Sequence, residues 1–489
     1  MRPRTAFVLL FGAVLAARLC HLRILWIEEC YPAAGAIQIL YGMVPYRDFW
    51  FDKPPLAPLL YLLWDAQAGF PLRLAGAVFV TLAAWLAWRF ASQKWGPDEG
   101  LLAAGLVAFF LTFGLPSSVM ALAPDLLMIV PHLAAAWLAW RGRPFLAGLA
   151  AGAALLVHTK GFYVLAVCLL WQWRAAHLVL AGFLLPNAVA LAALGAAGAL
   201  PGYWQQVWQW GWLYARDTFV ENPLGEGIRR TLNWAGFHAA AVLAAAWHWR
   251  RERDPDSRRL FAWALISLAG VAAGLRFFPR YYLQLLPVVA LAGARGFTLL
   301  GRRRAAMVGL LLLVPLVRFG PRYAILAADL ATGHPHRWRD LAMYEGSRQA
   351  AAILNGAAPA EDTLLVWGYR PDIWVLTRRR AGTPYLDSQP LTGVIADRHL
   401  FDSRPSAPEL AARNRAALTR YLPNLIVDGL GPYNPSLAIT RFPDLEVWLR
   451  GNYREIARTP SAIIYRLRSG AGLRSPRSPA SAGSRPAPR

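Results

Sequence analysis

The sequence is poor in charged residues and in cysteine. Asp, Glu, Lys and Arg make up 16% of its 489 residues, whereas 56% are hydrophobic, and the mean hydropathy is +0.33. A soluble domain of this length rarely has such a composition, so a polytopic membrane protein is predicted. The three cysteines, Cys20, Cys30 and Cys168, are scattered. Their spacing excludes a disulfide framework and a cysteine-based metal site.

Several motifs are also absent. The sequence has no internal repeat and no G-x-G-x-x-G, Walker or H-E-x-x-H pattern, which argues against nucleotide-driven chemistry and zinc proteolysis. His21, His132 and His158 share no metal-ligand spacing. The net charge of +23 comes largely from arginines between apolar runs. Membrane topology explains such a pattern, so no nucleic-acid partner is expected.

Apolar runs of membrane-spanning length recur along the first two thirds of the chain. The first lacks a small-residue cleavage site and is interpreted as a transmembrane helix rather than a signal peptide. The segment 55–69 is too short to span and is interpreted as an interfacial helix. About eleven spans are therefore predicted, near 5–26, 72–92, 100–116, 124–140, 144–158, 160–174, 176–199, 233–250, 259–275, 281–299 and 304–326.

Charge then fixes the orientation of these spans. Loops on one side are basic, including "RRERDPDSRR" at 250–259 and "GRRR" at 301–304, whereas the opposite loops carry most of the acids. By the positive-inside rule the basic loops are cytoplasmic. The first outer loop, residues 27–71, then faces outward, and so does everything after the last span.

The chain changes character after residue 326. Residues 327–468 mix an amphipathic helical pattern, "LAMYEGSRQAAAILNG", with short β-like runs, "TLLVWG", "NLIVDG" and "AIIYRLR". This pattern predicts a small extracytoplasmic α/β domain after the transmembrane domain 1–326. Residues 469–489 are rich in Pro, Ser and Arg and are predicted to be disordered.

Ionisable residues near the outer face need a reason to be there, because charge is costly at membrane depth. The predicted topology places a set of them on one side, from separate loops: Glu28, Glu29, Asp52, Lys53, Asp125, Lys160 and Arg280. Carboxylates beside cations would suit a site that holds a phosphate and removes a proton from a nucleophile. Taken singly, the acids and Arg280 could instead be interfacial anchors, and Lys160 could snorkel.

Four tryptophans lie within nine residues in the outer loop 200–232. Aromatic faces stack on sugar rings and also occupy membrane interfaces, and the sequence leaves both interpretations open.

Together these motifs resemble a known family. An acidic pair after the first span, then G-x-x-P-Y-x-D and an acid-Lys-Pro-Pro, is similar to the bacterial branch of the GT-C glycosyltransferases. That branch includes protein O-mannosyltransferase-like enzymes, lipid A aminoarabinose transferases and core-sugar transferases of rhizobial type. The similarity continues at "APDLLM", "HTKGFYVL", "PRYYLQLLPVVALAG" and "GYRPDIWVLTRRRAGTPYLDS".

The resemblance implies an enzyme that moves a sugar from a polyprenyl-phosphate donor to an acceptor hydroxyl, with inversion, on the outer face of the bacterial cytoplasmic membrane. It implies catalytic roles for Glu28, Glu29 and Asp125. The residues it implies for substrate binding are Asp52, Lys53, Lys160, Arg280 and Tyr281. The family usually has Asp where this chain has Glu28, so the choice of base between Glu28 and Glu29 stays open.

Other classes compete with this interpretation. A transporter or flippase of a lipid-linked intermediate would also place cations near lipid headgroups, and the C-terminal domain could be the working part of a membrane scaffold. The lack of inverted repeats and the large outer domain argue against the transporter. The sequence leaves open the sugar, the acceptor (lipid, glycan or protein), the oligomeric state and the need for a divalent metal; no other cofactor is implied.

The topology can be tested directly. We expect the loop at 250–259 to be cytoplasmic and residues 327–489 to lie outside, because the basic loops stay inside. Reporter fusions at positions 255 and 400 should report opposite sides of the membrane. The same side for both would overturn the model.

Overall fold

The computed structural model describes residues 3–218 and 220–469. Its first two thirds are almost entirely helical. The helices are α1 (Pro3–Leu19), α2 (Ile27–Leu40), α3 (Leu56–Tyr61), α4 (Phe70–Lys94), α5 (Pro97–Phe110), α6 (Pro116–Val119), α7 (Pro124–Leu127), α8 (Ile129–Trp140), α9 (Pro144–Val157), α10 (Gly161–Trp171), α11 (Ala176–Ala196), α12 (Leu200–Tyr203), α13 (Trp210–Arg216), α14 (Pro223–Phe237), α15 (Ala239–Arg251), α16 (Pro255–Ala272), α17 (Leu286–Leu300), α18 (Arg302–Gly309) and α19 (Leu313–Thr332).

Helix occupies each of the eleven apolar runs identified in the sequence. Proline often begins the next helix after a break, as at Pro97, Pro144 and Pro255, where its missing N–H costs nothing. Among the described residues, three continuous helical stretches are long and apolar enough to cross a membrane by themselves: Phe70–Lys94, Trp173–Ala196 and Arg302–Thr332. The other apolar helices are shorter, so the total of about eleven spans stays a prediction.

Small residues let the membrane helices pack closely. A Cβ at Gly148 on α9 would overlap the carbonyl oxygen of Val179 on α11, and one at Gly182 on α11 would overlap that of Phe145. Such close backbone approach is a common packing mode for helices in lipid.

The segment 55–69 forms only a short helix. α3 is followed by a single 3₁₀ turn, Leu62–Trp64, and Asp65 and Ala66 then adopt left-handed backbone conformations that end it. A helix of this length cannot span a bilayer, as the sequence indicated.

The C-terminal part contains a four-stranded sheet. Its helices are α20 (Ala342–Ala357), α21 (Pro371–Thr377), α22 (Gln389–Thr392), α23 (Pro408–Leu418) and α24 (Pro443–Asn452), and its strands are β1 (Leu364–Trp367), β2 (Leu425–Asp428), β3 (Tyr453–Thr459) and β4 (Ala462–Leu467). The strand order is β1-β2-β4-β3, with β1 and β2 parallel and the other pairs antiparallel. Because parallel strands need a long crossover, residues 368–424 carry α21, α22 and α23 between β1 and β2.

Three of the four strands coincide with the β-like runs of the sequence. Strand β3 was not among them, because its exposed residues are polar and only Tyr453 is buried. Helix α19 continues to Thr332, six residues beyond the predicted end of the last span. The predicted disordered tail lies outside the described residues, apart from Ser469.

The segment 27–71, which follows the first apolar run, and the sheet share one hydrophobic core. Tyr31, Phe49 and Phe51 from this segment pack in the same cluster as Leu364 and Trp374. Ion pairs add to this contact: Arg276 with Asp397, Arg398 with Asp217, and Arg378 with Asp65. The sheet region is therefore held against the loops that carry the candidate site.

Candidate active site

A cavity of about 480 Å³ lies between the helical region and the sheet region. Its polar lining comes from both sides. The helical region supplies Glu28, Asp52, Lys53, Asp125, His158 and Arg280, and the sheet region supplies Asp340, Tyr369, Asp372, Gln389 and Asp397. Five of the predicted site residues therefore line one cavity, although the sequence separates them by up to 252 positions.

Arg280 lies between two of the carboxylates. Its Nη1 donates to Glu28 Oε1 at 3.0 Å, and its Nε is 3.7 Å from Asp125 Oδ2. Helix α2 supplies the first acid and α7 the second, so one guanidinium ties together two loops. The Arg280 side chain is 28% exposed and reaches the cavity as well.

Glu28 and Glu29 are adjacent but have different surroundings. The Glu29 carboxylate is fully buried and accepts hydrogen bonds from Arg73 at 2.6 and 3.0 Å, from the Leu122 N–H at 3.0 Å and from the Trp26 N–H at 3.2 Å. Glu28 has Arg280 as its ion-pair partner, and 26% of its side chain is exposed toward the cavity. Glu28 is thus open to a ligand, whereas Glu29 is saturated.

Local structure explains why the pair divides in this way. Both residues lie in the first turn of α2, where the helix dipole favours negative charge, but consecutive helical side chains point about 100° apart. Pro32 has no N–H to donate to the Glu28 carbonyl four residues earlier, and Pro32 itself lines the cavity.

Burial changes the proton affinity of Glu28. Desolvation raises the pKa of the Glu28 carboxyl above its ordinary value, and the nearby Arg280 charge opposes that shift without cancelling it. A glutamate with a raised pKa is a stronger base than one in water.

Asp52 and Lys53 form a second charged group at the cavity. Lys53 Nζ is 3.1 Å from Asp52 Oδ1 and lies 5.9 Å from the centre of the Tyr31 ring. The loop that carries them is fixed by backbone bonds, because Tyr46 Oη donates to the Lys53 carbonyl and the Asp52 N–H donates to Tyr31 Oη. The Lys53 side chain is 35% exposed, so its ammonium is available to an anion.

Lys160 and Tyr281 lie behind the cavity wall rather than on it. Lys160 Nζ sits 3.1 Å from the centre of the Tyr281 ring and has no hydrogen-bond partner among the described residues. The neighbouring His158 does line the cavity and places its Nε2 3.6 Å from Asp125 Oδ1. The Lys160 N–H donates to His158 Nδ1 at 3.1 Å, which holds this turn together.

The turn before Arg280 has an unusual backbone. Gly274, Leu275 and Phe277 all have positive φ, at 78°, 54° and 49°. For non-glycine residues this conformation costs on the order of 1–3 kcal/mol and often occurs at functional sites. Here it directs Arg276 toward Asp397, and Arg280 toward Glu28.

Sequence reasoning missed the cavity residues of the sheet region. Tyr369 and Asp372 fall inside the quoted motif "GYRPDIWVLTRRRAGTPYLDS", and Gln389 and Asp397 follow it. That motif was the available signal, but nothing in the sequence indicated that the sheet region closes the cavity. The sequence pattern tested His158 only as a metal ligand and did not indicate that it lines the cavity.

Asp387 lies near Asp52 in the sheet region but does not line the cavity. Burial raises its pKa to about 7, and the nearby Asp52 charge adds to that effect. Its Oδ1 accepts from the Gln389 N–H at 2.8 Å, while Oδ2 is buried without a hydrogen-bond partner among the described residues.

The tryptophan-rich loop contributes little to the cavity lining. Trp204 and Trp212 are exposed and Trp210 is buried against Trp50, and the cavity lining includes Tyr214 but none of the four tryptophans. Within residues 3–218 and 220–469, no group of three His, Cys, Asp or Glu side chains is placed to hold a metal ion.

Comparison with solved structures identifies the fold. The chain is similar to ArnT from Cupriavidus metallidurans bound to undecaprenyl phosphate, with a TM-score of 0.61 and 14% identity over 95% of this chain and 98% of that one. The apo form of that ArnT gives 0.56 and 14% over 97% and 100%. The Archaeoglobus fulgidus oligosaccharyltransferase in complex with Zn and sulfate is a weaker match, at 0.48 and 15% over 94% and 73%.

No protein-family model matches the sequence, and no curated protein matches it. The two ArnT structures nevertheless cover almost the whole chain. The chain therefore has the fold of the membrane GT-C glycosyltransferases, which confirms the resemblance drawn from its motifs.

The different environments of the two glutamates lead to a stability prediction. We expect Glu29→Gln to lower the free energy of unfolding by about 3–5 kcal/mol, because it leaves the buried Arg73 without its counter-charge. Glu28→Gln is the matched control and should change stability little. Thermal unfolding of both purified variants in one detergent measures this; equal melting temperatures would contradict it.

Proposed function

We propose that this protein is a membrane glycosyltransferase that moves a sugar from a polyprenyl-phosphate donor to an acceptor hydroxyl, inverting the anomeric carbon. The reaction takes place on the outer face of the bacterial cytoplasmic membrane. The acceptor is a lipid, a glycan or a protein, and the sugar is a hexose or a pentose.

The observation that carries this proposal is the cavity position of Glu28, Arg280 and Lys53. A carboxylate with a raised pKa and two cations open to a ligand face the same space. Phosphate needs cations and a nucleophilic hydroxyl needs a base, so this set matches both partners of a sugar transfer.

The chemistry follows from these roles. Glu28 takes the proton from the acceptor hydroxyl, and the oxygen attacks the anomeric carbon on the face opposite the phosphate. The bond from carbon to the phosphate oxygen breaks, and its electron pair stays on the leaving polyprenyl phosphate. Lys53 and Arg280 stabilise this developing negative charge, which would otherwise be poorly solvated.

The remaining predicted residues support these groups. Asp125 orients Arg280 and His158, and Asp52 holds Lys53 through their 3.1 Å ion pair. Lys160 packs against the Tyr281 ring from behind the wall. Glu29 holds the start of α2 in place through Arg73 and has no part in the transfer step.

An adjoining groove supports a lipid-linked donor. A second cavity of about 440 Å³ is lined mainly by apolar and aromatic side chains, among them Phe110, Trp234 and Phe237. Leu115 lines both cavities, and residues 277–280 lie between them. A polyprenyl chain in this groove would bring its phosphate to Arg280. The similar ArnT structure holds undecaprenyl phosphate.

A transporter or flippase of a lipid-linked intermediate is the competing function. The two functions differ in the fate of one bond: a transferase cleaves the bond between sugar and phosphate, whereas a transporter leaves it intact. Purified protein incubated with a panel of radiolabelled polyprenyl-phosphate sugars and bacterial envelope acceptors distinguishes them. Movement of intact donor across vesicles without cleavage would favour the transporter.

The base is tested by Glu28→Gln. We expect turnover to fall about 10²–10⁴-fold while donor binding survives, because a general base contributes that much. In the wild type, turnover should decline as pH falls through the raised pKa of Glu28, which lies above the ordinary value of about 4.3. Near-wild-type turnover in Glu28→Gln would move the base role to Asp125.

The cations are tested by single alanine variants. For Lys53→Ala and Arg280→Ala we expect a loss of roughly 2–4 kcal/mol of transition-state stabilisation, as for removal of one oxyanion donor. Lys160→Ala should cost less, because its ammonium lies behind Tyr281. Arg280→Lys should be partly tolerated, since lysine keeps the charge but loses the planar fork.

The matched control is Arg450→Ala, which removes an exposed arginine paired with Glu446 on its own helix, outside the cavity. The measurement is turnover per folded molecule. Values within about twofold of wild type for Lys53→Ala and Arg280→Ala would make these residues headgroup anchors.

A further inference from the structure

The two walls of the central cavity differ in how their charges are paired. On the helical side, Arg280 pairs with Glu28 and Asp125, and Lys53 pairs with Asp52, so cations and acids face the cavity together. On the sheet side, the charged residues that line the cavity are all acids: Asp340, Asp372 and Asp397. Their cationic partners, Arg322, Arg370 and Arg276, are not in the lining.

Two of these acids have an oxygen that is not used within the protein. The Asp372 side chain is 2% exposed, and its Oδ1 has no hydrogen-bond partner within the part of the chain that the structure describes; Arg370 Nε is 4.0 Å from it. The Asp397 side chain is 9% exposed, and Arg276 Nε donates to its Oδ2 at 2.5 Å, while its Oδ1 has no hydrogen-bond partner among the described residues.

Buried carboxylate oxygens without partners are costly, so each calls for an explanation. Both side chains are fixed by neighbouring residues. Arg276 donates a hydrogen bond to Asp397. Asp372 lies in the first turn of α21, close to the buried Arg370. A carboxylate has acceptor capacity only. A ligand that pairs with these oxygens must therefore present hydrogen-bond donors.

We propose that Asp372 and Asp397 form a binding subsite for the hydroxyl groups of a sugar ring, opposite the cations that hold the phosphate. This rests on the proposed function and adds its sugar-recognition residues. A donor with phosphate at one end and hydroxyls at the other matches the charge pattern of the two walls. The hydroxyls belong to the transferred sugar, and a glycan acceptor is the other source of the same chemistry.

The variants Asp372→Asn and Asp397→Asn test the subsite. Asparagine keeps the shape and one acceptor oxygen, so Arg276 retains a partner in Asp397→Asn, but the charge and one acceptor position are lost. Asp362→Asn is the matched control, since Asp362 belongs to the same region, pairs with Arg466 and does not line the cavity.

The binding measurement uses purified full-length protein in nanodiscs. The probes are undecaprenyl phosphate alone, undecaprenyl phosphate carrying glucose, mannose or arabinose, and the free monosaccharides. We expect each Asn variant to bind undecaprenyl phosphate within twofold of wild type, and to bind the preferred sugar-bearing lipid about tenfold more weakly. That factor corresponds to the loss of one charge-assisted hydrogen bond.

The outcomes separate the sources of the hydroxyls. A tenfold rise in KM for a glycan acceptor, with donor binding unchanged, would assign the subsite to the acceptor. Wild-type values for both variants with every sugar probe and acceptor would overturn the proposal, as would an equal loss for undecaprenyl phosphate alone. Asp397→Asn serves as the independent variant if Asp372→Asn does not fold.

A different result would contradict the proposed function but not the sugar subsite. If the wild type binds free monosaccharides and Asp372→Asn binds them more weakly, but neither binds any polyprenyl phosphate, the sugar subsite stands and the lipid-donor function does not.

Discussion

The buried ion pair between Glu29 and Arg73 is the contact on which the site depends. Two charges at zero exposure are costly to remove from water, and good geometry with additional hydrogen bonds offsets that cost. Here Arg73 also donates to the carbonyls of Ile24 and Met120, and Glu29 accepts from the Leu122 N–H. The pair thus joins the end of the first membrane helix, the start of α2, helix α4 and the loop before Asp125. With α2 fixed in this way, the neighbouring Glu28 is directed into the cavity.

The sheet region completes what this pair begins. Its hydrophobic core includes Tyr31 and Phe51 from the segment 27–71, so this segment cannot move independently of the sheet. The ion pair of Arg276 with Asp397 lies close to Arg280 along the chain and connects the turn of positive-φ residues to the opposite wall. Arg280 and the acids of the sheet-side wall are thereby held at a fixed separation. Catalysis by positioning needs such rigidity, because small displacements of reacting groups cost large factors in rate.

Much of the site was predictable from the sequence, because charge at membrane depth is rare. Glu28, Asp52, Lys53, Asp125 and Arg280 were all identified by that criterion, and the structure brings them to one cavity. Lys160 was identified in the same way, and Tyr281 from the family resemblance alone, but both lie behind the wall, where cation and ring contact each other. The residues of the sheet region, such as Asp372 and Asp397, were not found, since an acid in a partly polar domain is ordinary and its sequence carries no sign of burial.

The sequence by itself indicated a membrane protein, the positions of the apolar helices, three of the four strands and the resemblance to the GT-C fold. Hydrophobic periodicity and composition are local properties, so they can be read without knowing what each segment contacts. Only the tertiary structure decided between Glu28 and Glu29 as the acid open to the cavity, and only it showed that the sheet region forms the second wall. Both facts depend on partners that are distant in sequence: Arg73 lies 44 positions from Glu29, and Arg280 lies 252 positions from Glu28. Helix and strand patterns do not specify such contacts, whereas desolvation and pairing of charge in the folded protein do.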